Sequence, residues 1–244
     1  MSITALIFCV NEKSQNPLLL VGAGLLTAGI YIFHRTSIQA IEPMQERHRL
    51  AIRHRKKLFF ISGVMFLFAM AVFAVQHPLT TLLVFCSLCG IVVYGRKTIT
   101  KPIRTFIYLK PFAVGVGIAL FAWALNDFSN TIVAVVAFIL ICSSDALLCD
   151  LVDREYDMAS GCPTLALQLG EHWTWILATA LYCLASIGLL FAIEQTLIGL
   201  FLFIVFVISL AFRKTDLRYL VDFRLTFVLL LAWAEWLFWY MALH

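Results

Sequence analysis

The chain has 244 residues, of which 62% are hydrophobic and only 13% are charged, with a formal net charge of +4. Soluble domains contain roughly 45–50% apolar and about 25% charged residues, so this composition excludes a soluble globule and a disordered chain. We therefore predict an all-α, polytopic transmembrane helical bundle that forms a single domain over residues 1–244.

The predicted membrane spans follow from the length of the apolar segments. A helix that crosses the bilayer needs about 20 mostly apolar residues. The opening apolar segment, residues 3–10, is too short to span and lacks the basic start of a signal peptide, so we expect at most an interfacial stub. Eight segments qualify, with the third and fourth being short: 17–33, 58–75, 79–94, 112–126, 131–149, 173–191, 196–212 and 221–243.

The basic residues predict the orientation of these spans. Of the 18 Lys and Arg residues, 17 fall in or beside alternate loops, and Lys13 is the exception. Loops rich in Lys and Arg remain in the cytoplasm, which places both termini on the opposite side of the membrane. The basic residues are interpreted in two ways: as topology anchors, or in part as ligands for an anionic substrate at the membrane surface.

The seven cysteines of the chain are odd in number and most of them lie in apolar segments. Cys86 and Cys89 have the spacing of a redox or metal pair, but they lie inside the third predicted span with no histidine nearby. We expect these thiols to pack as small apolar side chains.

The segment after the fifth predicted span is acidic, whereas the other cytoplasmic loops are basic. Asp150, Asp153 and Asp157 are spaced i, i+3, i+7, which places them on one face of a helix. Carboxylates that converge there repel one another unless a cation neutralises them, and Mg²⁺ is suited to such oxygen ligands. A solvated acidic helix end is the alternative. Asp145, five residues before Asp150, is expected to support the metal site without binding the metal directly.

The residues after the acidic helix predict a sharp return to the membrane. Gly161 permits an abrupt helix end, and Pro163 prevents the helix from continuing. Thr164 is a predicted N-cap for the next helix.

Taken together, Asp150-x-x-Asp153-x-x-x-Asp157, then Gly161-x-x-Thr164-Leu165 and a Leu-Gly pair, resemble the second aspartate-rich motif of UbiA-type intramembrane prenyltransferases. The resemblance implies Mg²⁺ as cofactor, a prenyl diphosphate as substrate, and a lipophilic or aromatic acceptor within the membrane. If the first span corresponds to the second helix of that family, the acidic motif follows the sixth helix, as it does in the family.

The first aspartate-rich motif of that family is degenerate in this sequence. Its pattern, N-D-x-x-D-x-x-x-D, is expected after the first span. The corresponding positions hold His34, Arg35, Ile38 and Glu42, so at most one of the three acids remains. The resemblance therefore implies either a prenyltransferase or a catalytically silent protein that binds an isoprenoid diphosphate.

The basic loop after Tyr94 supplies the predicted diphosphate ligands. By resemblance, Lys97, Lys101 and Lys110 are expected to contact the diphosphate, and Tyr94 is expected to support them. Arg35 is a further candidate diphosphate ligand, since a guanidinium contacts phosphate well. No catalytic residue is assigned by the sequence.

A secondary transporter is the alternative from a different functional class. Glu235 lies near the middle of the last predicted span, and acidic residues within the membrane often have a function. Transporters tend to contain internal repeats and sites at the midplane. The sequence shows no repeat and its acidic cluster is interfacial, so a protonated packing role for Glu235 is the simpler interpretation.

Overall fold

In the computed structural model the described residues are 17–36, 40–42, 46–76, 81–82, 85, 106–125 and 132–191. Within these ranges the regular structure is entirely helical, so the all-α prediction is confirmed. We label the described helices in chain order: α1 (Pro17–Thr36), α2 (Glu46–Arg53), α3 (Arg55–Gln76), α4 (Leu109–Leu125), α5 (Ile132–Val152), α6 (Arg154–Ala159) and α7 (Leu165–Phe191).

Five of these helices coincide with predicted spans: α1, α3, α4, α5 and α7 cover the first, second, fourth, fifth and sixth. Among the described helices, Arg55–Val75 and Ile132–Val152 are both long and apolar enough to cross a membrane. Most of the third span, and all of the seventh and eighth, lie outside the described residues, as does the segment 3–10. The count of eight spans and the orientation of the chain therefore stay predictions.

Helix α5 lies between α4 and α7 and packs against both of them. The shared core contains Ala119 of α4, Phe138 of α5 and Tyr182 of α7, all almost fully buried. A second core joins α1, α3 and α4 through side chains that include Leu26 and Phe73. Because α4 contributes to both cores, it links the α1–α3 pair to the α5–α7 pair.

The contact between α4 and α5 depends on Gly115. A Cβ atom at this position would lie 2.7 Å from the carbonyl oxygen of Ile139 and 2.5 Å from Oγ of Ser143. The backbones of two helices can approach this closely only where one of them carries a residue with little or no side chain. Small residues are common at helix–helix contacts in membrane bundles for this reason. Gly117 on the same helix has no described neighbour within 4 Å of such a Cβ.

The chain leaves α6 through a glycine-terminated cap. Gly161 has a positive φ of 64°, a conformation that favours glycine. The N–H of Gly161 donates to the carbonyl of Met158 at 3.2 Å, and the N–H of Cys162 donates to that of Asp157 at 2.9 Å. These two bonds form a Schellman motif, so the predicted sharp helix exit at Gly161 is confirmed.

Helix α7 begins with the predicted cap and bends soon afterwards. Oγ1 of the buried Thr164 accepts a hydrogen bond from the N–H of Leu167 at 3.3 Å, which confirms Thr164 as the N-cap. Gly170 then adopts a non-helical conformation with φ 74° and ψ 174°. The Leu-Gly pair of the sequence motif thus separates a short first segment of α7 from its long apolar part.

Candidate functional site

Two of the three predicted metal ligands lie beside a lysine. Nζ of Lys110 is 2.6 Å from Oδ1 of Asp150 and 3.9 Å from Oδ2 of Asp157. The shorter contact is a charge-assisted hydrogen bond. We refer to Lys110, Asp150 and Asp157 as the Lys–Asp cluster.

The Lys–Asp cluster is assembled from three helices. Asp150 lies in the last turn of α5, Asp157 lies in α6, and Lys110 lies in the first turn of α4. The backbone stays close to helical from α5 into α6, because the N–H of Asp153 donates to Cys149 and the N–H of Asp157 donates to Asp153. The predicted i, i+7 relation of the two outer aspartates is therefore kept, and the close packing of α4 on α5 brings Lys110 to them.

The cluster is shielded from solvent. The side chains of Lys110, Asp150 and Asp157 are 14%, 11% and 12% exposed, respectively. Charges at this depth attract one another more strongly than at the surface, and loss of one partner leaves the other uncompensated. Oδ2 of Asp150 is buried and accepts no hydrogen bond from any described residue. That oxygen can therefore accept a further cation or donor.

The described part of the chain contains no group of three or more His, Cys, Asp or Glu side chains arranged to hold a metal ion. Asp153 differs from the two clustered aspartates: it precedes α6 at the N-cap position, makes no side-chain cap hydrogen bond, and is only partly buried. A joint metal role for Asp150, Asp153 and Asp157 therefore stays a prediction. Asp150 and Asp157 by themselves present carboxylate oxygens to the same ammonium group.

The remnants of the degenerate first motif make other contacts. The guanidinium of Arg35, in the last turn of α1, lies 4.9 Å from the centre of the Tyr31 ring in a cation–π arrangement. Among the described residues Arg35 forms no ion pair with the Lys–Asp cluster, and its Nε is buried without a described hydrogen-bond partner. Glu42 forms an exposed ion pair with Arg49 at 3.2 Å. The single acid left from this motif is thus engaged at the surface.

The remaining predicted residues divide into one that is described and several that are not. Asp145 is buried within α5, more than one turn before Asp150, so its supporting role stays a prediction. The diphosphate candidates Lys97 and Lys101 and the supporting Tyr94 lie outside the described residues. Glu235, Cys86 and Cys89 lie outside them as well.

One contact near the site was not predicted from the sequence. His48 of α2 is 1% exposed, and its ring centre lies 4.7 Å from that of Tyr156 in α6. Tyr156 directly precedes Asp157, so this ring pair joins the segment after α1 to the acidic segment. The sequence feature that could have indicated this contact is a histidine within a short helix whose other polar residues are all charged.

The fold and the site together define an all-α bundle of membrane type with a buried acidic cluster at the end of a central helix. The structure is similar to that of an apo UbiA homolog from Aeropyrum pernix K1, with a TM-score of 0.73 and 13% identity over 96% of this chain and 95% of that chain. It is also similar to a UbiA homolog from Archaeoglobus fulgidus, with a TM-score of 0.70 and 11% identity over 96% of this chain and 94% of that one.

At the level of sequence, the UbiA prenyltransferase family matches residues 2–222. The chain therefore belongs to the UbiA prenyltransferase family, which confirms the resemblance found in its acidic motif. The two solved homologues establish the fold, which is the predicted transmembrane helical bundle. No curated protein matches the chain. UbiA family homologues are integral membrane proteins, in agreement with the composition of this chain.

Proposed function

We propose that this protein binds an isoprenoid diphosphate at the Lys–Asp cluster with Mg²⁺ and transfers the prenyl group to an aromatic or similar lipophilic acceptor. The observation that carries this proposal is the buried contact of Lys110 with Asp150 and Asp157. The carboxylates of Asp150 and Asp157 belong to the aspartate-rich motif, and the chain is a member of the UbiA prenyltransferase family.

The chemistry of the cluster fits Mg²⁺. This ion usually binds one or two carboxylates and completes its shell with phosphate oxygens and water. Asp150 and Asp157 would supply the carboxylates, and the Oδ2 atom of Asp150 accepts no described hydrogen bond. When bound, Mg²⁺ would stabilise the charge that develops on the departing diphosphate. Asp153, at the turn between them, is the third proposed ligand, and Asp145 is a supporting acid.

Basic side chains would hold the other oxygens of the diphosphate. Lys110 already lies at the cluster, beside the carboxylates that would hold Mg²⁺, and its ammonium would donate to a phosphate oxygen. Lys97 and Lys101 precede it in the same basic segment of the sequence, near the supporting Tyr94, and Arg35 is a further proposed ligand. The apolar helices around the site provide the surroundings in which a prenyl chain and a lipophilic acceptor would meet.

Substitution of single acids tests this proposal. Purified protein in detergent would be titrated with a panel of prenyl diphosphates, with and without Mg²⁺. We expect Asp150→Asn and Asp157→Asn to weaken Mg²⁺-dependent binding by about 10–100-fold, because each removes a buried charged ligand. Asp153→Asn should weaken it less, since its side chain is more exposed. Glu171→Gln, at an exposed acid on α7, is the matched control.

If Asp150→Asn and Asp157→Asn bind prenyl diphosphate as tightly as the unaltered chain does, the Lys–Asp cluster is not the diphosphate site. If all variants bind equally with and without Mg²⁺, the metal has no part in binding. Equal losses in Glu171→Gln would show a general electrostatic effect of lost negative charge.

A second candidate function, binding without turnover, is favoured by the contacts of the first motif. Arg35 lies against Tyr31, and Glu42 is paired with Arg49, so both of these side chains have partners other than a second metal. Loss of one good electrostatic contact typically costs about 10²–10³ in rate. Binding and turnover measured side by side distinguish the two candidates. Arg35→Asp combined with Ile38→Asp should raise turnover if the missing acids limit catalysis, whereas brisk native turnover unaffected by this change would exclude the silent binder.

A further inference from the structure

The ammonium group of Lys110 supplies a positive charge at the two carboxylates that are the proposed metal ligands. The ammonium group contacts two carboxylates of the aspartate-rich motif, at 2.6 Å from Oδ1 of Asp150 and 3.9 Å from Oδ2 of Asp157. Mg²⁺ would be held by these same carboxylates and would therefore compete with the ammonium for them. Two buried carboxylates with no cation between them would repel one another, so Lys110 stabilises the cluster when neither metal nor substrate is bound.

The location of Lys110 on its helix also indicates that the carboxylates are what stabilise its charge. It lies in the first turn of α4, where the helix dipole presents partial positive charge. A cation is electrostatically unfavourable there, so the contribution of Lys110 comes from its carboxylate partners, Asp150 on α5 and Asp157 on α6. An ammonium held by partners on other helices can move away once those partners bind a different cation.

Resting on the proposed function, we infer that Lys110 is an exchangeable counter-cation: a divalent metal displaces its ammonium from Asp150 and Asp157, and the displaced ammonium then binds the diphosphate. The two cations cannot both remain within 4 Å of the same oxygens without strong repulsion. When the metal binds alone, it has to break the contacts of Lys110 with the carboxylates, and the displaced ammonium gains no new partner. Metal and diphosphate together give the lysine new partners, so the two ligands promote each other's binding.

Binding of Mn²⁺ alone tests the exchange without any measurement of activity. Mn²⁺ would be titrated into the full chain in detergent and followed by electron paramagnetic resonance. We expect Lys110→Met to bind Mn²⁺ at least about tenfold more tightly than the unaltered chain, because the ammonium that competes with the metal for Asp150 and Asp157 is gone. Lys57→Met, at an exposed lysine on α3, should bind Mn²⁺ as the unaltered chain does.

A second measurement uses the unaltered chain and so does not depend on the folding of a variant. Lysines would be acetylated briefly with an amine-reactive ester, with and without Mn²⁺, and located by mass spectrometry. Labelling of Lys110 should rise several-fold at saturating Mn²⁺, while that of Lys57 stays constant. Unchanged labelling of Lys110 at saturation, or equal Mn²⁺ affinity in Lys110→Met and the unaltered chain, would overturn the exchange.

The double variant Lys110→Met with Asp150→Asn separates this inference from the proposed function. If Lys110→Met has unchanged Mn²⁺ affinity but the double variant loses binding, the metal site stands and the exchange is wrong. If the double variant binds Mn²⁺ as well as Lys110→Met does, Asp150 is not a metal ligand and the proposed function itself fails.

Discussion

Gly115→Ala, compared with a control glycine on the same helix, should separate the cost of close helix packing from the gain in helix propensity. Gly115 lies at the contact between α4 and α5 that positions Lys110. The added Cβ would lie 2.7 Å from the carbonyl oxygen of Ile139, whereas ordinary contacts begin near 3.4 Å, so α4 has to move away by about 0.7 Å. That carbonyl belongs to the backbone of α5 and cannot rotate aside. Oγ of Ser143, which is 2.5 Å from the same Cβ, is itself hydrogen-bonded to Ile139 at 2.7 Å.

The magnitude follows from two opposing effects. Overpacking of a tight contact costs about 1–3 kcal/mol, while replacement of glycine by alanine within a helix gains about 1 kcal/mol. Gly117→Ala has the same helical gain with no described atom within 4 Å of the new Cβ, so it is the matched control. The two variants should therefore differ by about 1–3 kcal/mol, with Gly115→Ala the less stable.

The assay is thermal unfolding of both variants in the same detergent at one heating rate. For a chain of this size, 1 kcal/mol shifts the midpoint by about 2–4 °C, so Gly115→Ala should melt roughly 2–12 °C below Gly117→Ala. Because Lys110 lies on the same helix and is a proposed diphosphate ligand, Gly115→Ala should also weaken binding of prenyl diphosphate. Equal midpoints for the two variants would refute the assigned close contact between α4 and α5.

The remaining predictions concern the segment around the acidic helix. Thr164→Ala should lower stability by about 1 kcal/mol in thermal unfolding, since it removes the oxygen that caps Leu167, whereas Thr164→Ser should retain the cap; equal losses would exclude the capping role. Gly161→Ala should cost about 1–2 kcal/mol because φ is 64° there, and an unchanged midpoint would contradict that conformation. His48→Ala should increase amide hydrogen exchange in α2 and α6, because the buried ring contact with Tyr156 is lost; unchanged exchange would show that this pair does not join the two segments.

The sequence alone indicated much of the local structure, because those signals act within one or two helical turns. Apolar composition predicts membrane helices because the bilayer leaves the backbone no other partners than its own. Gly161 and Thr164 were predicted as helix boundaries because capping bonds join residues only three to five positions apart. The aspartate spacing in turn indicated one helix face, and Asp150 and Asp157 do meet at one lysine.

Contacts between distant residues were decided only by the tertiary structure. The sequence presented Lys97, Lys101 and Lys110 as equivalent basic residues, and the packing of α4 on α5 brings Lys110 to an aspartate 40 positions away. Likewise, Gly115 and Gly117 look alike in sequence, yet of these two an added Cβ would meet described atoms of α5 only at Gly115. The physical reason is that the rotation and depth of one helix against another depend on the whole packed interface, which no local spacing of residues specifies.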